Sequence, residues 1–234
     1  MARYVDLHVL PHVDNIDSCR KLAQALAIAR YSMIGLTIPT GLFRDRLETL
    51  RQAFVDCGIE TVTRADFASR SREELLRSLR KFRVAFDIIA VKCLNERVAH
   101  VACRDRRVDL VFFDLDNPRV RFTHAMANLL SGSVELNMAS VIRGTGAMYG
   151  SVSRQFLVAQ EHAVNIVLSS GTDMTELVRS PVQLAALAAT LGLSRSEAIK
   201  GIASTPMSVI EKNLKKRSPA YVEEGVQIVQ RKPR

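Results

Sequence analysis

The 234-residue chain has no tryptophan, and phenylalanine and tyrosine together make up only 6% of it. So few aromatic rings, with neither an RNP-like nor a KH-like motif, weigh against single-strand recognition by base stacking as the main activity. Cysteine is scarce as well. Cys19, Cys57, Cys93 and Cys103 stand far apart, with no CxxC pair and no Cys/His cluster at zinc spacing, which points to small core residues in a reduced, cytoplasmic protein. No segment approaches the roughly 20 apolar residues of a membrane span. The opening MARYVDLHVL lacks the apolar core and cleavage site of a signal peptide, so no membrane partner is expected.

What is present is hydrophobic mass and positive charge. A 47% hydrophobic content over this length suffices for one sizeable core and suits a single α/β barrel. Lysine and arginine outnumber aspartate and glutamate by 33 to 24, a net charge of +9, which favours polyanionic partners through phosphate neutralisation and counterion release.

Short apolar runs recur at Tyr4 to Val9, Met33 to Ile38, Ile59 to Val62, Phe86 to Val91, Val108 to Phe113, Val134 to Met138 and Ile166 to Leu168. Most are apolar at consecutive positions, as a strand covered on both faces of a parallel sheet requires. Helical patterns lie between them, with start signals at Ser71 with Glu74, Ser180 with Gln183, and Ser194 with Glu197, each the pattern of a capping box. Pro181 sits at a first helical position and Gly192 just past that helix's end. Strand then helix, repeated about seven times at a nearly constant period, predicts a single (β/α) TIM-like barrel over residues 1–217. No eighth strand is evident. A last helix from about Ser208 to Lys216 runs into residues 218–234, read as a flexible basic tail.

In such a barrel, chemistry sits at the carboxyl ends of the strands. There the chain delivers His8, Lys92, Asp114, Asp116, Asn137, and Ser169, Ser170 and Gly171, a set poor in catalytic groups. His100, His124 and His162 fall in predicted helices, and His8 and His12 are not paired as His-x-His, so converging metal ligands are not supplied. Neither Ser169 nor Ser170 lies in a GxSxG elbow. The SSGT loop is small enough to let backbone N–H groups approach a phosphate, although no phosphate-loop lysine accompanies it. Arginines are spread along the chain, at Arg30, Arg64, Arg70, Arg72, Arg80, Arg83, Arg104, Arg106, Arg107, Arg143, Arg154 and Arg179. Several follow strands or end helices, which suits a broad positive face for an RNA backbone. Arg179, directly before the capped helix at Ser180, is placed for bidentate phosphate contact or for an ion pair with Glu176 or Asp173.

An ordered set of motifs carries a resemblance: Tyr4-Val5-Asp6-Leu7, Asp87-Ile88-Ile89-Ala90-Val91, Arg107-Val108-Asp109-Leu110-Val111, Val134-Glu135-Leu136-Asn137, Ile166 through Gly171, Leu177-Val178-Arg179-Ser180-Pro181, Leu191-Gly192-Leu193, Ala198, Thr205-Pro206, Ile210 and Asn213. Together they resemble the archaeal ribonuclease P protein component 3 family. The resemblance implies a barrel related to polymerase and histidinol phosphatase type phosphoesterases. It also implies a subunit that binds and stabilises the catalytic ribonuclease P RNA in removing the 5′ leader of precursor tRNA. By the same resemblance the protein binds no cofactor itself, magnesium serves the RNA-containing holoenzyme, and a smaller ferredoxin-like protein subunit is a partner. RNA-contacting positions carry over at Arg179, with Arg154, Lys92, Arg107 and Arg64 as further candidates. His8, and Thr172 after the SSG, depart from the family pattern. The rival reading is a free-standing metal-dependent phosphoesterase with His8, Asp114 and Glu135 among its ligands. A third is a barrel enzyme acting on a small phosphorylated metabolite at the SSG loop.

Overall fold

The structure is a computed structural model that describes residues 3–115, 120–144, 146–218, 221–223 and 226–227. Seven strands, β1 (Val5–Val9), β2 (Met33–Thr37), β3 (Glu60–Phe67), β4 (Ile88–Cys93), β5 (Leu110–Phe113), β6 (Ser133–Asn137) and β7 (Ile166–Ser169), pair in parallel in sequence order. A single bridge between Val9 and Thr172 joins the last strand's exit to the first, so the barrel is nearly closed without an eighth strand. The Leu10 amide donates to the Thr172 carbonyl at 2.9 Å and the Gly171 amide to the His8 carbonyl at 2.8 Å, satisfying edge groups that would otherwise be orphaned.

The helices ring this sheet: α1 (Ile16–Ile28), α2 (Arg44–Val55), α3 (Arg72–Phe82), α4 (Glu96–Arg104), α5 (His124–Leu129), α6 (Met138–Arg143), α7 (Gly146–Glu161), α8 (Pro181–Thr190), α9 (Arg195–Gly201) and α10 (Ser204–Arg217). Start signals in the sequence act as caps. Ser180 and Gln183 form a reciprocal capping box, whereas Ser71 and Ser194 each accept only the backbone amide three residues on. Glu74 turns instead to the Arg70 amide and Glu197 to Lys200. Gly192 follows α8 at φ +105°, a conformation that costs an L side chain about 1–2 kcal/mol.

Two apolar layers result. The larger packs the helices against the outer face of the strands. The smaller, with Val5, Leu7, Val62, Leu110, Phe112 and Val167, fills the barrel interior and is joined by Ile210 of α10. That helix therefore closes the amino-terminal end of the barrel. Asn213 donates to the Asp87 carbonyl at 2.9 Å, and Arg217 ion-pairs with the Asp87 carboxylate. Of the segment read as a flexible tail, Ser218 caps α10, Tyr221–Glu223 pairs antiparallel with Val226–Gln227, and the remainder lies outside the described residues, as does Asp116. Among the described residues no helix is long and apolar enough to cross a membrane. The four cysteines are unpaired, and burial pushes the Cys103 thiol up to about 12, which leaves it inert as a nucleophile.

Candidate nucleic-acid interface

Toward the carboxyl-terminal mouth the interior turns polar. Side chains alternate along β3, so Val62, Arg64 and Asp66 face inward while Ala65 and Phe67 pack outward. Arg64 is fully buried. Its two Nη atoms meet the Glu135 carboxylate at 2.5 and 2.6 Å, its Nε reaches Asp66 at 2.6 Å, and Nη1 also donates to the Leu7 carbonyl at 2.9 Å. Ser169 donates to Glu135 at 2.6 Å, and His8 lies 3.3 Å from Asp66 and edge-on to Phe112. Burial alone would raise Glu135 and lower Arg64; the mutual attraction wins, holding the carboxyl below its ordinary range and the guanidinium charged. His8 is held neutral by burial and by the Arg64 charge.

This arrangement corrects the expectation for Arg64. With its guanidinium N–H groups taken by two carboxylates inside the barrel and its side chain fully buried, it has no access to an RNA phosphate. The same contact tests the metal centre that a phosphoesterase-like barrel implies. Asp66, Glu135 and His8 surround a buried organic cation rather than leaving a hole for a metal ion, and Asp114 is elsewhere, 2.9 Å from Lys92. Among the described residues no group of three or more His, Cys, Asp or Glu side chains is arranged to hold a metal, so these residues do not fit one. The SSGT loop is corrected too. Its amides are directed inward, Ser170 to Asp6 at 3.0 Å, Gly171 to His8 and Thr172 to the Ser170 hydroxyl at 3.2 Å, and none is left to cradle an anion.

Asp6 carries a measurable consequence. Burial, reinforced by the like charge of Glu135 and opposed by hydrogen bonds from Ser170 and His8, raises its pKa from 3.8 to about 6. A raised carboxylate favours folding while protonated, so that contribution is present below about pH 4 and lost as pH rises through about 6. Asp6→Asn, which removes the buried charge, is expected to stabilise the protein by about 1–2 kcal/mol at pH 7.5 and to change little at pH 4. Urea titrations at the two pH values check this; equal effects at both contradict it.

The remaining basic candidates do not converge. Lys92 stands at the carboxyl end of β4, half-buried in its pair with Asp114. Arg107 lies before β5, at the opposite end of the barrel, and both its Nε and Nη2 are engaged by Asp105 at 2.9 and 2.6 Å. Arg154 is exposed on α7. Arg179 follows a short 3-10 turn, and its Nη1 donates to the Glu176 and Val178 carbonyls at 2.8 and 2.9 Å. Neither Glu176 nor Asp173 pairs with it. Its remaining donors carry no such bond and the residue is half-exposed beside the start of α8, so Arg179 is the candidate best presented at the carboxyl-terminal face.

Comparison with known proteins agrees with this geometry. The family model described as RNase P subunit p30 matches residues 5–218. The chain belongs to the ribonuclease P subunit p30 family. It is accordingly a protein subunit of ribonuclease P, the complex that processes tRNA 5′ ends. Ribonuclease P protein component 3 of Methanosarcina barkeri is 26% identical, across 96% of this chain and 94% of that one. The component 3 of Methanothermobacter thermautotrophicus is 25% identical, across 98% and 96%. A chain in the cryo-EM structure of archaeal ribonuclease P with mature tRNA shares the fold at a TM-score of 0.81, with 16% identity over 98% of this chain and all of that one. A putative prolidase from Bifidobacterium longum shares it at 0.59, with 9% identity over 91% and 70%. The p30 barrel thus shares its fold with that putative prolidase, while its own mouth is filled by the Arg64 network.

Proposed function

We propose that this p30 subunit works by binding and stabilising the catalytic RNA of ribonuclease P during removal of the 5′ leader from precursor tRNA, with no catalytic centre of its own. The observation that supports it most is the occupation of the barrel mouth by Arg64: the position where a barrel enzyme would assemble its chemistry is internally neutralised, while basic side chains elsewhere remain exposed. In this reading the magnesium required for phosphodiester hydrolysis is held by the RNA, and a ferredoxin-like protein subunit shares the complex. Positive charge positions phosphates and reads little sequence.

Binding of the full chain to ribonuclease P RNA, measured from 50 to 300 mM salt, tests the proposal. Affinity is expected to fall log-linearly with salt, by roughly 0.7–0.9 of a log unit in slope per phosphate neutralised. Arg179→Ala is expected to weaken binding about three- to tenfold, with the slope reduced by about 1. Binding that is absent, or independent of salt, overturns the reading.

A further inference from the structure

Three of the five arginine and lysine positions singled out from sequence are consumed by carboxylates, so the question is which cations are not. Along the seam between α3 and α4 lies a hollow of about 1050 Å³, with Arg70, Arg72, Arg97 and His100 on its walls. A second hollow, of about 400 Å³, continues it past Arg72 and Val101 to Arg104. Because Arg72 and Val101 border both, the two form one groove.

All four arginines are exposed. None of their guanidinium groups makes an ion pair or hydrogen bond with another described residue, in contrast to Arg64, Arg83, Arg107 and Arg217. The spacing is set by the helix. Arg97, His100 and Arg104 fall at i, i+3 and i+7 of α4, on one face, and the two arginines are about 10.5 Å apart along the axis. Arg72 opens α3 on the facing wall, and Arg70 precedes it. Two carboxylates, Glu73 and Glu96, also line the groove against its four arginines, and a third, Asp105, is already engaged by Arg107, so positive charge is in excess. Among the described residues neither hollow has a phenylalanine or tyrosine on its walls, and His100 is the one ring there, so a succession of stacked bases finds little platform.

We infer that the α3–α4 groove is a docking surface for an RNA sugar–phosphate backbone, with Arg72, Arg97 and Arg104 as its principal phosphate contacts and Arg70 and His100 also on its walls. Unpaired guanidiniums in a row, with a single imidazole and no phenylalanine or tyrosine among the described wall residues, suit a polyphosphate read by shape and charge. This rests on the RNA-binding reading above and locates its main surface on the outer helical layer, starting from the β3–α3 and β4–α4 loops, rather than inside the barrel.

The test compares three proteins in binding to ribonuclease P RNA across a salt series: the wild-type chain, the triple variant Arg72→Gln/Arg97→Gln/Arg104→Gln, and a control with Arg20→Gln/Lys21→Gln/Arg44→Gln on α1 and α2. Glutamine is a good helix former and none of the three groove guanidiniums has a partner to lose, so thermal unfolding should be unchanged in the triple variant. The expected result is a salt slope shallower by about 2–3 and affinity at least about tenfold lower at 0.1 M salt for the groove variant, with the control close to wild type. A groove variant with the wild-type slope and affinity overturns the inference while leaving RNA binding by the chain intact. Equal losses in groove and control variants overturn it as well, and so does retained RNA binding with lost capture of the other protein subunits, which would assign the groove to an acidic protein. Failure of the wild-type chain to bind RNA would sink the functional reading itself.

Discussion

Arg64→Met is expected to lower the unfolding free energy by about 3–5 kcal/mol. The methionine introduced is unbranched, flexible and readily packed, so lost volume is a minor part of this. The main cost is electrostatic: Glu135, fully buried and held ionised by the two Nη contacts, is left without its counter-ion, and Asp66 loses its partner at the barrel mouth. Such a buried pair adds little net stability compared with a well-packed apolar pair, because both ions were desolvated to form it. Arg64→Met/Glu135→Leu should therefore recover at least half of the loss. Urea unfolding of the two variants decides the matter. A single variant within about 1 kcal/mol of wild type, or a double variant no better than the single, would contradict the account of the mouth as one neutralised unit.

Gly171→Ala is expected to cost about 2–4 kcal/mol, from two sources. The residue has φ +61°, in the left-handed region, and an added Cβ would overlap the side chain of Asn137. Asn137 cannot simply rotate away, because its Oδ1 caps α6 by accepting from Ala139 and Ser140 at 3.1 and 3.4 Å. The substitution therefore strains the closure between β7 and β1 and uncaps a helix at once. A melting temperature lowered by several degrees is the expected readout, and an unchanged one would show that the loop relaxes freely.

The fold was legible because the seven strands are covered on both faces and so appear as continuous apolar runs, and because Ser71, Ser180, Ser194, Pro181 and Gly192 mark helix boundaries with local chemistry. The site was less so. Strand β3 runs from Glu60 to Phe67, five residues beyond the apolar run at Ile59 to Val62, because Arg64 and Asp66 interrupt the hydrophobic pattern. The signal was the alternation of polar Arg64 and Asp66 with apolar Ala65 and Phe67, the mark of a strand with two unlike faces; a lone arginine after an apolar run resembles a surface residue equally well. Pairing across 71 residues, Arg64 with Glu135, has no local trace at all. For the same reason sequence favoured Arg107, whose neighbour Asp105 occupies it, over Arg97 and Arg104, which become one stripe only once α4 is formed. Absence of an eighth strand was visible, whereas its replacement by the Val9–Thr172 bridge and the α10 plug depends on tertiary contact.

The central claim is that this p30 subunit acts through RNA and performs no hydrolysis itself. Cleavage of a precursor tRNA by reconstituted ribonuclease P RNA and its partner subunits, with and without this chain, and by the chain alone with divalent metal, addresses it most directly. The account predicts stimulated release of the 5′ leader only when the RNA is present, and no product from the protein alone. Cleavage by the isolated chain, abolished by substitution of His8 or Glu135, would contradict it.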